Sequence, residues 1–268
     1  MRITAVICLR DDAAYGDRFF QNMEEQGVEA IVIENDALPE TMAIVERWQA
    51  RGLVREVLNH PFAGHMDWSG LLRRKQEVVN TRDSDWFILW DSDELREPPA
   101  GYATLREAFF AAGSAGYDTI NFNEFVFLPT SPDEDYVGRD YLREMRHYYF
   151  FQTQPYERMN GFRRLDRPLK LMNGAGHMVL FKGQKIWPKH CALRHYLFLS
   201  EAHGLQKYGP RENSEEDRQR NWMMERVNTT EQNFRLPDRA VMIEKSGPGW
   251  DTSRPLRQHP SFCYDPVP

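Results

Sequence analysis

Residues 86–90 read Trp-Phe-Ile-Leu-Trp, and residues 91–94 continue as Asp-Ser-Asp-Glu. Five large apolar residues in a row are typical of a strand buried on both faces, which occurs mainly in parallel sheets covered by helices. Ligands of such sheets collect at the carboxyl ends of the strands, where these acids lie. Asp91 and Asp93 would point to one side if the chain stays extended. Two converging carboxylates suit Mg²⁺ or Mn²⁺, so a metal-dependent site is the first hypothesis.

The Asp-x-Asp spacing alone is weak evidence, because it also occurs at 83–85 and 133–135. Those copies are typical of a polar turn and a solvated loop. The copy at 91–93 differs because it directly follows a buried strand. Its alternative reading is an N-cap with first-turn acids for a following helix.

The composition is that of an ordinary globular protein of 268 residues, with 41% hydrophobic and 28% charged residues. A net charge of −6 argues against a general nucleic-acid binder. Three cysteines without paired spacing predict no disulfide framework. No apolar run reaches membrane-spanning length and no signal pattern is seen, so a cytoplasmic protein is expected, with peripheral membrane contact left open.

The first half alternates strand-like and helix-like segments. Strands are predicted at 3–9, 29–33, 54–58 and 86–90, with helices near 17–26, from about 41 to 51, and near 69–80. This alternation predicts parallel βαβ units in a doubly wound, nucleotide-binding sheet. In the usual 3-2-1-4 strand order, the first and fourth strands are neighbours. The residues that this order brings beside Asp91 and Asp93 are Arg10, Asp11 and Asp12.

Lys75 lies in the middle of the apolar face of the predicted helix at 69–80. A lysine there must either snorkel past the sheet edge or find a partner. The functional alternative is an amine that reaches a phosphate, a base or an acid at the strand ends.

The second half is less regular. We predict an aromatic-rich strand over 118–128 that carries Glu124, a long functional loop or a small insertion over 129–166, and a strand pair at 169–172 and 177–181. A strand-like run at 191–198, a charged helix over 211–227 and an extended strap follow. The chain is expected to be one domain, 1–268, made of a nucleotide-binding half (1–128), a smaller mixed acceptor-side region (129–210) and a C-terminal helix with strap (211–268).

A late polar segment follows the run at 191–198. His195 could complete an Asp/His metal site, while Arg194 and Lys207 could neutralise phosphate oxygens. A single histidine is more often structural, so the role of His195 depends on what surrounds it.

With these residues in view, the sequence resembles a GT-A fold glycosyltransferase of the family 2 type, of the subgroup with an Asp-x-Asp-Glu signature. The resemblance rests on residues 1–128 and on Arg194-His195-Tyr196, Ser200 and Lys207-Tyr208. It implies a nucleotide-diphosphate sugar donor, UDP- or GDP-linked, a hydroxyl acceptor such as a glycan, a bound Mn²⁺ or Mg²⁺, and inversion. It implies that Asp91 and Asp93 meet the ribose and the metal, that His195 meets the metal or the diphosphate, and that the nucleoside is faced by Arg10, Asp11, Asp12, Asn35 and Asp36. From their own positions, Lys75, Ser92, Arg194 and Lys207 are added to the candidate donor-binding residues.

The catalytic base is not marked by any motif in the later half. A base must be a carboxylate or imidazole within reach of the acceptor hydroxyl, and Glu124 is the first candidate, followed by Asp118, Glu94 and His177. Glu124 could equally be a surface acid on an edge strand. Two other functions stay open: a sugar-phosphate nucleotidyltransferase, although the glycine-rich loop expected after its first strand is missing here, and a non-catalytic carbohydrate- or nucleotide-binding module.

Overall fold

The structure is a computed structural model that describes residues 1–209, 212–226 and 229–262. Its strands, in chain order, are β1 (Ile3–Leu9), β2 (Glu29–Glu34), β3 (Val54–Asn59), β4 (Trp86–Trp90), β5 (Glu94–Glu97), β6 (Thr119–Ile120), β7 (Phe122–Phe127), β8 (His147–Phe151), β9 (Gly161–Arg163), β10 (Cys191–Tyr196), β11 (Ile243–Glu244) and β12 (Pro255–Leu256). Its α-helices are α1 (Arg18–Glu25), α2 (Pro39–Ala50), α3 (Trp68–Thr81), α4 (Leu105–Ser114), α5 (Tyr141–Glu144), α6 (Glu201–Tyr208) and α7 (Glu215–Gln219).

The chain divides into two compact units whose segments interleave. Unit 1 comprises Met1–Phe62, Ser69–Asn123 and Pro155–Leu193, and unit 2 comprises Ala63–Trp68, Glu124–Gln154 and Arg194–Pro268. The predicted parts, 1–128, 129–210 and 211–268, are each one continuous segment of the chain. This division remains a prediction.

Unit 1 contains a six-stranded sheet with the order β3-β2-β1-β4-β9-β6. The first four of these strands are parallel, and β9 pairs antiparallel with both β4 and β6. Ile7 pairs with Trp90, and Leu9 with Glu34, so the carboxyl ends of β1, β2 and β4 lie at one edge. The predicted α/β fold with a mostly parallel sheet, and its 3-2-1-4 order, are confirmed.

Every residue of the apolar strand β4 is buried. Trp86 packs edge-on against Phe109 of α4, with ring centroids 5.0 Å apart. On the neighbouring strand, Gly161 permits close packing, because an added Cβ would lie 3.0 Å from the Phe109 ring and 3.1 Å from the Phe122 ring. The continuous apolar run is therefore the centre of the core, as its composition predicts.

Unit 2 is built around the aromatic strand β8. This strand pairs antiparallel with β7 and β11 and parallel with β12, and β7 lies between β8 and β10. One face of these strands packs in a hydrophobic cluster that includes Val126, Tyr149 and Phe234. On the other face, Trp250 of the C-terminal segment stacks on Phe125 with ring centroids 4.2 Å apart. The extended strap predicted at the C-terminus is therefore part of this unit's packing as far as residue 262.

Four sequence-based expectations about elements are wrong. The long loop expected over 129–166 contains the helix α5 and the strands β8 and β9. The strand pair at 169–172 and 177–181 is replaced by a 3-10 turn at Met172–Gly174. The backbone N–H groups of Leu169 and Leu171 are bound by side chains of α3 instead of a strand partner. The strand predicted over 118–128 is interrupted between β6 and β7.

The fourth concerns the helix predicted over 211–227. The described part of this range contains the five-residue helix α7, and residues 211 and 227 lie outside the described residues. Asn221 and Met223 have φ angles of 56° and 53°, which a right-handed helix cannot contain. Among the residues that the structure describes, no helix is both long and apolar enough to cross a membrane.

Candidate functional site

The acids after β4 form a tight turn, which we call the acid turn (residues 91–94). The N–H of Glu94 donates to the carbonyl of Asp91 at 3.1 Å, so the chain reverses here instead of staying extended. The expectation that Asp91 and Asp93 share a side by strand alternation is therefore wrong. Asp93 is buried, whereas the Asp91 side chain is 41% exposed. A ligand can thus reach the turn at Asp91.

Lys75 is the cation of this turn. Its side chain is buried in α3, and Nζ donates to Asp91 Oδ1 at 3.1 Å. Burial alone would raise the pKa of Asp91, but the charge of Lys75 and its hydrogen bond outweigh this, and the pKa falls below its usual range. Lys75 could either snorkel past the sheet edge or find a partner, and in the structure it binds an acidic partner at the strand ends.

Asp12 joins the end of β1 to the acid turn. Its Oδ1 accepts a hydrogen bond from Ser92 Oγ, and its Oδ2 accepts one from the backbone N–H of Arg10 at 2.7 Å. The predicted proximity of residues 10–12 to the acid turn is therefore correct for Asp12. Asp11 is exposed beside it.

The ends of β1 and β2 form a second part of this edge. The Arg10 guanidinium lies 3.4 Å over the Phe62 ring, and its Nη1 donates to the carbonyl of Asn35 at 3.2 Å. Asn35 Nδ2 donates to the carbonyl of His60 at 2.7 Å. Asp36, with a φ of 47°, accepts the N–H of Phe62 at 2.9 Å. Four predicted donor-binding residues and the acid turn thus share one edge of the unit 1 sheet.

A buried ion pair supports the turn from within the core. Glu94 Oε2 accepts from Arg96 Nη2 at 2.5 Å and from the N–H of Asp91 at 3.3 Å. Arg96 is fully buried and also donates to the carbonyl of Leu89 at 2.8 Å and to Asn160 Oδ1 at 2.7 Å. Glu94 therefore acts as a structural acid, and this geometry does not suit a catalytic base. Sequence reasoning missed Arg96, although its two-residue spacing from Glu94 on a strand was a signal.

Asp118 lies at the opposite edge of the same sheet. Its carbonyl accepts the N–H of Arg163, and Arg163 pairs with Trp86 at the amino end of β4. Five residues of strand separate Trp86 from Asp91, about 16 Å at strand rise. Asp118 Oδ1 accepts the N–H of Lys185 at 2.8 Å. The structure does not bring this candidate base together with the acid turn.

In unit 2, Glu124 and His195 form a buried pair. His195 Nδ1 and Glu124 Oε1 are 2.5 Å apart, and Glu124 is 1% exposed. Because β7 has a strand on each side, the alternative of Glu124 as an edge-strand surface acid is wrong. Lys207 Nζ donates to the carbonyl of Leu197 at 3.0 Å, and the Arg194 guanidinium lies 5.4 Å from the Trp250 ring. The donor contacts of Arg194 and Lys207 remain predictions, as does the role of His195 as a metal ligand.

The described residues contain no group of three or more His, Cys, Asp or Glu side chains arranged to hold a metal ion. The acid turn still offers the carboxylates of Asp91 and Asp93. Magnesium is usually held by one or two carboxylates together with substrate phosphates, and not by a cage made only of protein. The donor set of the turn therefore fits a divalent cation that is shared with a diphosphate.

No family model and no curated protein sequence matches the chain. Among solved structures it is similar to residues 1–349 of TarS from S. aureus, with 12% identity and a TM-score of 0.47, over 73% of this chain and 60% of that one. TarS residues 1–349 in complex with UDP match with 11% identity and a TM-score of 0.41, over 61% and 47%. A mannosyltransferase, PcManGT, from Pyrobaculum calidifontis in complex with GDP-Man and Mn²⁺ matches with 15% identity and a TM-score of 0.35, over 46% and 35%. At these identities and TM-scores, the similarity is not evidence of a shared function.

Proposed function

We propose that this chain is a metal-dependent glycosyltransferase of the GT-A, family 2-like type. It would move a sugar from a UDP- or GDP-linked donor to a hydroxyl acceptor such as a glycan, with inversion, in the cytoplasm. The observation that carries the proposal is the acid turn, which places Asp91 and Asp93 at the carboxyl end of a central parallel strand. Buried Lys75 beside this turn adds a positive charge suited to a phosphate-binding edge.

The donor half of the reaction follows from the chemistry of the leaving group. When the bond from the sugar C1 to the diphosphate breaks, its electron pair moves to a phosphate oxygen. A bound Mn²⁺ or Mg²⁺ supplies Lewis-acid stabilisation of that charge. Asp91 and Asp93 would hold the cation, while Arg10, Asn35 and Asp36 would face the nucleoside.

The acceptor half needs a base that takes the hydroxyl proton. Glu94 is neutralised by Arg96, and Asp118 lies at the far edge of the unit 1 sheet. Glu124 therefore remains the leading candidate, ahead of His177, and its contact with His195 gives a carboxylate–imidazole pair that can accept a proton.

The test compares Asp93→Asn with Asp83→Asn, an exposed acid from another Asp-x-Asp copy. Thermal unfolding is measured with UDP, GDP and their sugar conjugates, with Mn²⁺ or EDTA. A nucleotide at 100 times its dissociation constant stabilises by about 2.7 kcal/mol, or roughly 5–10 °C. We expect this shift in the wild type and in Asp83→Asn only with Mn²⁺, and its loss in Asp93→Asn.

The products distinguish the two enzyme classes. A glycosyltransferase transfers or hydrolyses the sugar of the conjugate and releases the nucleoside diphosphate. A nucleotidyltransferase, given a nucleoside triphosphate and a sugar phosphate, joins the nucleotide to the sugar phosphate and releases pyrophosphate. If Asp93→Asn in EDTA binds nucleotide and turns over the donor as well as the wild type with Mn²⁺ does, the proposal is overturned. If the wild type shows no metal-dependent nucleotide binding, the result favours a non-catalytic module.

A further inference from the structure

A polar cluster beyond the end of β6 combines an exposed aromatic ring with an imidazole. We call it the His190 cluster, and it consists of Asn121, Asn123, Tyr156 and His190. His190 Nδ1 lies 2.9 Å from Asn123 Oδ1 and 3.4 Å from Asn121 Nδ2. The Tyr156 ring packs against the imidazole with ring centroids 5.4 Å apart, and 38% of Tyr156 is exposed. All four residues belong to unit 1.

The His190 cluster lies at the same sheet edge as the acid turn. Because β9 is antiparallel to both β4 and β6, with Gly161 paired to a residue of each, β4 and β6 run in one direction. Asn121 follows the carboxyl end of β6, and its carbonyl accepts the N–H of Cys191, the residue after His190, at 3.0 Å. Strand β6 is two strands from β4, about 10 Å across the sheet. A ligand at the cluster would therefore lie beside the diphosphate edge and not on it.

Three polar atoms of the cluster have no hydrogen-bond partner among the residues that the structure describes: His190 Nε2, Asn123 Nδ2 and the Tyr156 hydroxyl. The shorter contact of His190 Nδ1 is to an oxygen, which assigns the ring proton to Nδ1 and leaves Nε2 as an acceptor. Burial lowers the pKa of His190, so the ring is neutral at pH 7. The cluster thus presents a neutral acceptor, an amide donor and a hydroxyl.

The backbone of Tyr156 adopts an unusual conformation. Its φ angle is 62°, in the left-handed region that a bulky residue rarely adopts. Such conformations cost free energy and cluster at active sites and ligand clamps. An exposed aromatic face beside amide, imidazole and hydroxyl groups suits a sugar ring, which has apolar C–H faces and a rim of hydroxyls. Each sugar hydroxyl can both donate and accept, so it can bind either His190 Nε2 or Asn123 Nδ2.

We propose that the His190 cluster binds a sugar ring of the hydroxyl acceptor. The Tyr156 ring would stack on the apolar face of the sugar, while His190 Nε2 and Asn123 Nδ2 would bind its hydroxyls. This rests on the proposed function, in which a glycan is an acceptor, and it leaves the transfer chemistry to the acid turn and the base. A neutral sugar fits better than an ionic ligand, since none of the four side chains carries a charge at pH 7.

The test uses methyl glycosides of glucose, galactose, mannose and N-acetylglucosamine as probes, with sorbitol as a polyol that has no ring. Binding is measured by saturation-transfer NMR, and the side-chain nitrogen signals of His190 report contact with Nε2. Tyr156→Gly and His190→Ala are compared with Phe110→Ala, which removes an exposed ring of the same unit. We expect both cluster variants to lose about three- to tenfold in affinity for the glycosides that bind, and Phe110→Ala to match the wild type.

Two further measurements separate a binding role from a structural one. Glycine adopts a positive φ without strain, so Tyr156→Gly should be no less stable in urea than Phe110→Ala, although it binds the glycoside more weakly. The second measurement is the release of nucleoside diphosphate stimulated by the glycoside. In both cluster variants, the KM for the glycoside should rise while the KM for the sugar nucleotide stays unchanged.

A rise in the KM for the sugar nucleotide instead would assign the cluster to the donor and overturn the proposal. The proposal also fails if no glycoside binds the wild type better than sorbitol does, or if both cluster variants bind glycosides as well as the wild type. A wild type that binds glycosides through the cluster, but neither UDP nor GDP with Mn²⁺, would overturn the proposed function and still support a sugar site at the cluster.

Discussion

Replacing Lys75 by Met removes the ammonium beside Asp91 and keeps an unbranched side chain of similar length in the core. The variant leaves Asp91, which also feels the charge of Asp93, without the ammonium that donates to it. Removing one partner of a fully buried ion pair costs about 3–5 kcal/mol. Because the Asp91 side chain is 41% exposed, water screens part of this, and we expect a coupling energy between the two residues of about 1–2 kcal/mol.

The assay is a double-mutant cycle of Lys75→Met and Asp91→Asn, with the free energy of unfolding measured in urea at pH 7. The matched control is the cycle of Arg74→Met and Glu77→Gln, a more exposed pair on the same helix. We expect about 0.5 kcal/mol or less for the control. If the two coupling energies are equal, Lys75 does not stabilise the acid turn through Asp91.

The pH dependence of this cycle has a defined sign. The pKa of Asp91 is lowered on folding, so its contribution is complete above the unfolded value near 3.8 and is lost as the pH falls through the folded pKa. The coupling energy should therefore be the same at pH 7 and pH 5 and should disappear only in more acidic solution.

Three further changes test other parts of the structure. Glu124→Gln removes the charge from the buried pair with His195 and should lower the free energy of unfolding by about 1–3 kcal/mol, measured in urea. Trp250→Ala removes the ring stacked on Phe125 and should cost about 2 kcal/mol, since Trp250 is half-buried. Burial raises the pKa of the Cys8 thiol from 9.0 to about 12, so alkylation of Cys8 at pH 8, followed by mass spectrometry, should be about 10³-fold slower in native than in unfolded protein.

The two stability predictions each have a control in the same chain. Glu144→Gln changes an acid in a more exposed ion pair, and Val241→Ala removes an exposed apolar side chain. Both should change stability by about 0.5 kcal/mol or less. Losses in Glu124→Gln or Trp250→Ala no larger than these would contradict the packing described for unit 2. Equal alkylation of Cys8 in native and unfolded protein would contradict the raised pKa of its thiol.

The sequence predicts the parallel part of the unit 1 sheet well, because β1, β2 and β4 are local apolar runs. The 3-2-1-4 order then brings Asp12 to Ser92 without further information. Strand β9 could not be predicted in the same way, since it has three residues and pairs with β4 from more than 70 positions away.

The parts of the site that were missed depend on that strand. Asn160, which binds Arg96, enters the site through the pairing of β4 with β9 and not through local spacing. Glu124 was found from its apolar neighbours, but its histidine partner lies 71 residues later and no sequence pattern links the two. The local pattern thus identifies the acids and offers Lys75 as a partner, whereas the contacts of Asn160 with Arg96 and of His195 with Glu124 require the tertiary structure.

The late pairing of β9 also bears on how the chain is made. Once residues 1–90 have left the ribosome, β1 can cover one edge of the apolar strand β4, but its other edge waits for residues 161–163. An exposed, flat, apolar strand edge is a template for aggregation. A fragment that stops before residue 161 should therefore associate through β4, and the nascent chain passes through the same vulnerable stage during synthesis.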